Sequence, residues 1–289
     1  MRVRGLAVAA LLAAAALLGA TAEAAPHRIS AVTVIPGTSD YASGPLRVSF
    51  LLIGSQGAPA YRSNVRVAIG GPGNRSSFAS TKAVLEPVGV PGSGDAPGDI
   101  TRLYVAHLHA PRAGTYTLRV ESAGKTTLRG SLQIVVRAHP QAPAVGSKAI
   151  ASKTPTIAST HGNFKELTTR VPPDKSLLDY SVAASLAAHK RFVLVFATPK
   201  FCQSRTCGPV VDVVDAVRKQ FVGTGIRFIH VEVYEDNNPG KGYNQWVKQW
   251  HLPSEPWIFL VGSDGRIKTR FEGSVSVQEL AASVRQHLS

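Results

Sequence analysis

Residues 192–221, FVLVFATPKFCQSRTCGPVVDVVDAVRKQF, decide the reading of the C-terminal half. They open on FVLVFA (192–197), a continuous apolar run of the kind found in strands covered on both faces. From Pro209 the period changes. Val210, Val213, Val214, Val217 and Phe221 share one face and Asp212, Asp215, Arg218 and Lys219 the other, which predicts an amphipathic helix. The only two cysteines of the chain, Cys202 and Cys207, lie between strand and helix, separated by Gln-Ser-Arg-Thr. Cys207 sits just before the helix, where unpaired N–H groups and the helix dipole stabilise a thiolate, and Arg205 adds positive charge.

Working outward, LLDYSVAASLAAHK (177–190) reads as a helix with Leu178, Val182, Leu186 and Ala187 on one face. IRFIHVEVY (226–234) is a strand, and a helix runs through YNQWVKQWH (243–251), with Trp246 and Trp250 on its packing face. WIFLVG (257–262) and RIKTRFEG (266–273) are strands joined by an Asp-Gly hairpin, and SVQELAASVRQHL (276–288) is a last helix. The order is α-β-α-β-α-β-β-α. Glu232, Glu235 and Asp236 read as a solvated strand end.

Residues 174–289 resemble the thioredoxin-like superfamily over about 40% of the chain. Three features carry the resemblance: FVLVFATPKFCQSRTCGP, Ser254-Glu255-Pro256-Trp257 where the family keeps a cis-proline, and RFEG (270–273) closing the final strand. It implies an α/β thioredoxin-like fold and thiol–disulfide exchange, with Cys207 as nucleophile and Cys202 as resolving thiol, the reverse assignment remaining open. It also implies that Pro256 lies beside the sulfurs. The chain departs from the family's C-x-x-C in having C-x-x-x-x-C, and the family's strand acid falls on Leu194. No cofactor is implied.

Two other readings stand beside this one. The cysteines could form a structural disulfide in a non-enzymatic envelope-binding protein, although a six-residue ring stabilises by only about 2 kcal/mol, against about 3 for fifteen residues. Some exported members of the superfamily bind copper, and here the ligands would be Cys202 and Cys207 with His230 or His251. No strand-turn-helix G-x-S-x-G elbow supports a serine hydrolase.

The N-terminal half has short β-rich runs between turn clusters: RISAVTVI (28–35), PLRVSFLLI (45–53), NVRVAI (64–69), FASTKAVL (78–85), ITRLYVAHLHA (100–110), TYTLRVES (115–122) and LRGSLQIVVR (128–137). This spacing predicts a β-sandwich. Arg47 and Ser49 fall opposite Val48 and Phe50, as in half-buried strands. PRAGTYTLRVES resembles the penultimate strand of bacterial immunoglobulin-like domains, with Tyr116 entering the strand after a glycine turn. His107 and His109 share a face but read as ordinary histidines. HPQAPAVGSKAIASKTPTIAST (139–160) has no sustained period and reads as an extended linker between halves that move independently.

The first 25 residues carry Arg2 and Arg4, an Ala/Leu run and Ala22-Glu23-Ala24, a secretory signal with cleavage after Ala24. An uncleaved membrane anchor is the alternative. The expected organisation is therefore a signal at 1–24, an immunoglobulin-like β-sandwich at 27–138, a linker at 139–160 and a thioredoxin-like domain at 161–289. The expected location is extracytoplasmic, where cysteines meet an oxidising environment.

At 44% apolar and 17% charged, the chain is neither disordered nor a coiled coil. Its formal charge of +14 is spread along the sequence with no basic run or nucleic-acid motif, which excludes specific nucleic-acid binding and leaves weak attraction to anionic envelope surfaces. The one Met is the initiator, which excludes a Met-ligated copper or haem centre in a processed chain. The expected partners are extracytoplasmic protein thiols or disulfides and a thiol–disulfide exchange partner.

Overall fold

Period-two alternation in the N-terminal half produces one all-β unit. The computed structural model describes residues 28–72, 79–92, 100–201 and 207–289, the side chain of Cys207 excepted. The strands are β1 (Arg28–Ala31), β2 (Thr33–Pro36), β3 (Tyr41–Ala42), β4 (Gly44–Ile53), β5 (Val65–Gly70), β6 (Ala79–Pro87), β7 (Arg102–Ala110), β8 (Gly114–Ser122) and β9 (Thr126–Arg137). Their order is β1-β9-β8-β5-β6-β7-β4-β2, with β3 also on β9. β6 joins the two layers, pairing with β5 through its first half and with β7 from Val84 onward.

The run read as one strand over 28–35 breaks at Val32, because β1 lies parallel to β9 while β2 turns antiparallel to β4. The Val32 N–H donates to the Arg129 carbonyl at 2.9 Å, so the sheet nearly closes on itself. Gly130 permits that approach: a Cβ there would lie 2.7 Å from both the Val32 carbonyl oxygen and Val34 Cγ2. Inside, Val48, Phe50, Leu52, Val67, Tyr104 and Leu118 belong to one apolar cluster. Tyr116 is buried, and its hydroxyl donates to the Arg112 carbonyl at 2.9 Å, tying down the turn before β8.

The C-terminal half is α/β. Strands β10 (Phe192–Phe196), β11 (Arg227–Val231), β12 (Trp257–Val261) and β13 (Ile267–Glu272) form a sheet of order β11-β10-β12-β13. Only the β10–β11 pair is parallel. The described helices are α1 (Phe164–Leu167), α2 (Val182–Ala187), α3 (Cys207–Gln220), α4 (Gln245–Gln249) and α5 (Val277–Leu288). α3 and α5 cover one face, where Val210, Val213, Val217, Leu280 and Val284 pack on Val193 and Val195. On the other face Val182, Val247 and Trp250 meet Phe192, Leu194 and Phe196. Every residue of β10 is buried, as its unbroken apolar run requires.

The helix expected over 177–190 is confined to α2. The Ser181 side chain caps the Ala184 N–H, and His189 ends the helix at a positive φ of 48°.

Residues 139–160 do connect the two halves, but not as a free tether. Ala142 is buried in the Trp250 layer. Gly146 N–H and Ala149 N–H donate to the carbonyls of Ile267 and Gly265, each at 2.8 Å, and Ile267 N–H donates to Ser147 O at 2.9 Å. The segment thus covers the open edge of β13. The Trp250 indole donates to Ser152 Oγ at 3.0 Å and the Trp246 indole to Lys153 O at 3.1 Å. This pairing uses backbone groups, so it leaves no period in the side chains.

The expected independence of the halves is not what the structure has. Asp40, its carboxylate fully buried, accepts from Arg270 Nη1 at 2.9 Å and from the backbone of Gln141 and Ala142. Glu272 accepts from Ser39 N, Ser39 Oγ and Asp40 N. Arg47 is bidentate on Glu279, at 2.7 and 2.8 Å. Arg47, opposite the sandwich core as expected, therefore faces the other half rather than water, while Ser49 is buried under the Gly37–Thr38 turn of its own half.

Candidate thiol site at the sheet end

The strand register brings three segments to one end of the C-terminal sheet. Phe196, the last residue of β10, lies between Val231 of β11 and Trp257 of β12. The chain leaves β10 through Ala197 and Thr198, both fully buried, and Cys207 opens α3. Cys202 lies outside the described residues, as does the side chain of Cys207, and the expected pairing of the two lies there with them. Pro256 is buried immediately before β12, and the Glu255–Pro256 peptide is cis. Its carbonyl accepts from Gly273 N–H at 2.9 Å, and Glu255 accepts from the Tyr234 hydroxyl at 2.9 Å.

Glu232 differs most from expectation. Glu235 and Asp236 are exposed, as a solvated strand end should be, but Glu232 is only 4% exposed. Alternation along the strand puts Ile229, Val231 and Val233 in the Trp250 layer, leaving His230 and Glu232 on the side of α3. Glu232 Oε1 accepts from Thr169 N at 2.6 Å and from Thr169 Oγ1 at 2.9 Å. The same hydroxyl oxygen accepts from Lys200 N at 3.1 Å. One threonine therefore links the carboxylate to the segment that runs on to the cysteines. Glu232 Oε2 is buried and has no hydrogen-bond partner among the described residues, and the same holds for Thr198 Oγ1. A buried carboxylate oxygen without a donor is costly unless something else uses it.

The first turns of α3 are held from two sides. Arg170 Nη2 pairs with Asp212 at 2.8 Å, yet burial outweighs that attraction and raises the Asp212 carboxyl above its usual range. From the all-β unit, Gly89, at a φ of +76°, comes so close to α3 that a Cβ on it would sit 3.2 Å from Pro209 Cβ. Val90 beside it packs on the α3 core. The N-terminal half also reaches the cis-proline loop, because Glu272, which binds Ser39 and Asp40, accepts from Ser254 Oγ at 2.9 Å.

Leu194, where the resemblance placed a missing acid, faces the Trp250 layer and not α3. The β10 residues facing α3 are Val193 and Val195, also apolar, so no acid comes from β10 at all. His230 is 4% exposed and its Nε2 donates to Ala197 O at 2.9 Å, as a satisfied core histidine does. His251 is exposed, at a φ of 51°, just after α4. The backbone bonds His251 N to Lys248 O and Leu252 N to Val247 O make it the C′ residue of a Schellman motif. α4 packs on the opposite face of the sheet from His230, so the two alternative third ligands for copper lie on opposite faces of the sheet.

His107 and His109 are both exposed on β7. Among the described residues no three His, Cys, Asp or Glu side chains are placed to hold a metal ion. Sequence reasoning missed Thr169, Arg170 and Gly89, and misplaced Glu232. For Glu232 a signal existed: its two-residue spacing from His230, inside an alternating apolar strand, already put both on one covered face.

No protein-family model and no curated protein matches the sequence. Among solved structures, a Thermotoga maritima chain provisionally assigned as a superoxide reductase matches over 39% of this chain and 88% of its own, at 9% identity and a TM-score of 0.21. That is too slight a likeness to inform fold or function.

Proposed function

We propose that the C-terminal half is a thioredoxin-like domain, the all-β half an immunoglobulin-like sandwich, and the protein an exported thiol–disulfide oxidoreductase acting on extracytoplasmic proteins. The observation that carries this reading is the meeting, at one sheet end, of the N-terminus of the Cys207 helix, the buried Pro256 before β12 and a buried carboxylate with an oxygen that has no partner among the described residues. The Tyr116 hydroxyl bonded four residues back, to Arg112 O, supports the sandwich.

In reduction, the Cys207 thiolate attacks a substrate disulfide, forming a mixed disulfide and releasing one substrate thiolate. The Cys202 thiolate then attacks the Cys207 sulfur, closing the Cys202–Cys207 disulfide and releasing the second substrate sulfur. Two electrons pass from the cysteine pair to the substrate, and oxidation of a client runs the same steps backward. Glu232 takes the proton of the resolving thiol and returns it to the departing sulfur. Pro256 sets the backbone beside the substrate strand, and the sandwich supplies docking.

The first test is the reduction potential of the pair in glutathione and dithiothreitol buffers. A midpoint between roughly −120 and −270 mV supports catalysis and gives its direction. A value below about −300 mV, with thiols reactive only after unfolding, identifies a structural bridge and a binding protein. Cys207→Ser abolishes reduction of insulin disulfides; full retained activity removes the proposal. Glu232→Gln lowers the rate and flattens its pH profile while leaving the far-ultraviolet spectrum unchanged. An unaltered profile removes Glu232 from the proton path.

A further inference from the structure

We infer that the outer face of β5, β6, β8 and β9 is a binding surface for an acidic polysaccharide, independent of the thiol site. The basic residues look scattered along the sequence, but the strand register gathers four of them. Arg66 of β5 lies directly opposite Lys82 of β6 on one side and Glu121 of β8 on the other. Glu121 in turn lies opposite Arg129 of β9. Two residues along, Arg119 of β8 lies opposite Ala68 of β5 and Ser131 of β9. All four cations point outward and are exposed. Glu121 is the one acid in these two cross-strand rows, and it is held by Arg129 through two contacts of 3.2 and 3.3 Å.

Glu121, between Arg66 and Arg129, makes part of this arrangement stabilising, but stability does not account for Arg66 against Lys82. Like charges directly opposite each other on neighbouring strands destabilise a sheet, by up to about 1 kcal/mol. Arg66 against Lys82 is such a pair. Between the cations the surface is hollow: Ala68, flanked by Ser80 and Arg119, lies in a groove of about 480 Å³ that also takes in Asn64, Ala123 and the Glu121 side chain. A partly aliphatic groove with a cationic rim suits a sugar ring bearing a carboxylate, which arginine can hold in a bidentate pair.

Ser80, whose Oγ accepts from Arg66 Nη2 at 2.8 Å, and Ser131 place hydroxyls among the cations for sugar hydroxyls to meet. These rows present no aromatic ring for stacking nucleobases or entering a bilayer interface, and a strand face offers no backbone groups for an added peptide strand. Strand neighbours about 4.8 Å apart give the spacing of a linear polyanion crossing the strands.

The test uses the full mature chain and polygalacturonate, titrated by calorimetry at low ionic strength. Arg66→Glu with Arg119→Glu weakens binding about tenfold or more. Lys248→Glu with Arg285→Glu, which makes the same change in net charge on the exposed surface of the other half, weakens it less than about twofold. The milder pair Arg66→Gln with Arg119→Gln, checked for an unchanged melting temperature, separates lost contacts from lost folding. Equal weakening by the two charge-reversal pairs shows attraction by net charge alone and overturns the proposal. So does tighter binding of poly-L-glutamate than of polygalacturonate, or binding confined to phosphatidylglycerol vesicles.

Discussion

At the scale of single residues, burial and backbone angle decide roles that residue type leaves open. Three histidines, His161, His189 and His251, have φ near +50° and each is the C′ residue of a helix or turn, a position that suits glycine. A left-handed residue with a Cβ costs about 1 kcal/mol or more relative to glycine. His251→Gly should therefore raise stability by up to about 1 kcal/mol, read as a higher urea midpoint at unchanged slope. Asp215 shows the reverse economy. Burial opposes its ionisation, but hydrogen bonds with Lys219, Asp174 and Arg218 together outweigh it and hold the carboxyl below its usual range. A depressed value means that the ionised form stabilises the fold. That contribution is complete above the unfolded value of about 3.9 and is lost as pH falls through the folded one. Asp215→Asn should thus cost stability at pH 7, with the gap to the unmodified protein narrowing below about pH 4 in thermal melts.

At the scale of elements, the period of the apolar residues located most of the strands and both long helices. It failed where a contact from elsewhere ends or bends an element. RISAVTVI became two strands because its halves join opposite edges of a closing sheet. LLDYSVAASLAAHK lost its first residues to the Ser181 cap, while Leu177 and Leu178 stay buried ahead of the helix. Closure of the all-β sheet depends on Gly130, where an added Cβ would press on the Val32 carbonyl. Gly130→Ala should destabilise by about 1–3 kcal/mol and raise hydrogen exchange at Val32, whose N–H holds the two edges together.

At the scale of the whole molecule, buried polar contacts join the two halves, from which one cooperative unfolding transition is expected. Arg270 lies 5.2 Å over the Trp257 ring, bonds the Asp40 carboxylate and carbonyl, and also donates to Ala142 O. Removing one partner of a buried pair leaves an uncompensated charge and costs about 3–5 kcal/mol. Arg270→Ala should therefore split a single calorimetric transition into two, the halves melting separately. A single unshifted transition would show that the covered β13 edge alone holds them together. The same interface bears on the thiol site, since Ser39, Asp40, Glu272 and Ser254 tie the sandwich to the cis-proline loop.

The sequence by itself determined the class of each half, the order of its elements, and the place of Cys207 at the start of a helix. Those properties are local, written in periods of two and 3.6 and in cap residues. Only the tertiary structure decided that Thr169 binds the Glu232 carboxylate, that four cations share one sheet face, and that residues 139–160 are bound to β13. It also set Asp40 against Arg270, 230 residues away. Pairings of that kind depend on register and docking, and at such separation no local pattern of residues records which charge will meet which.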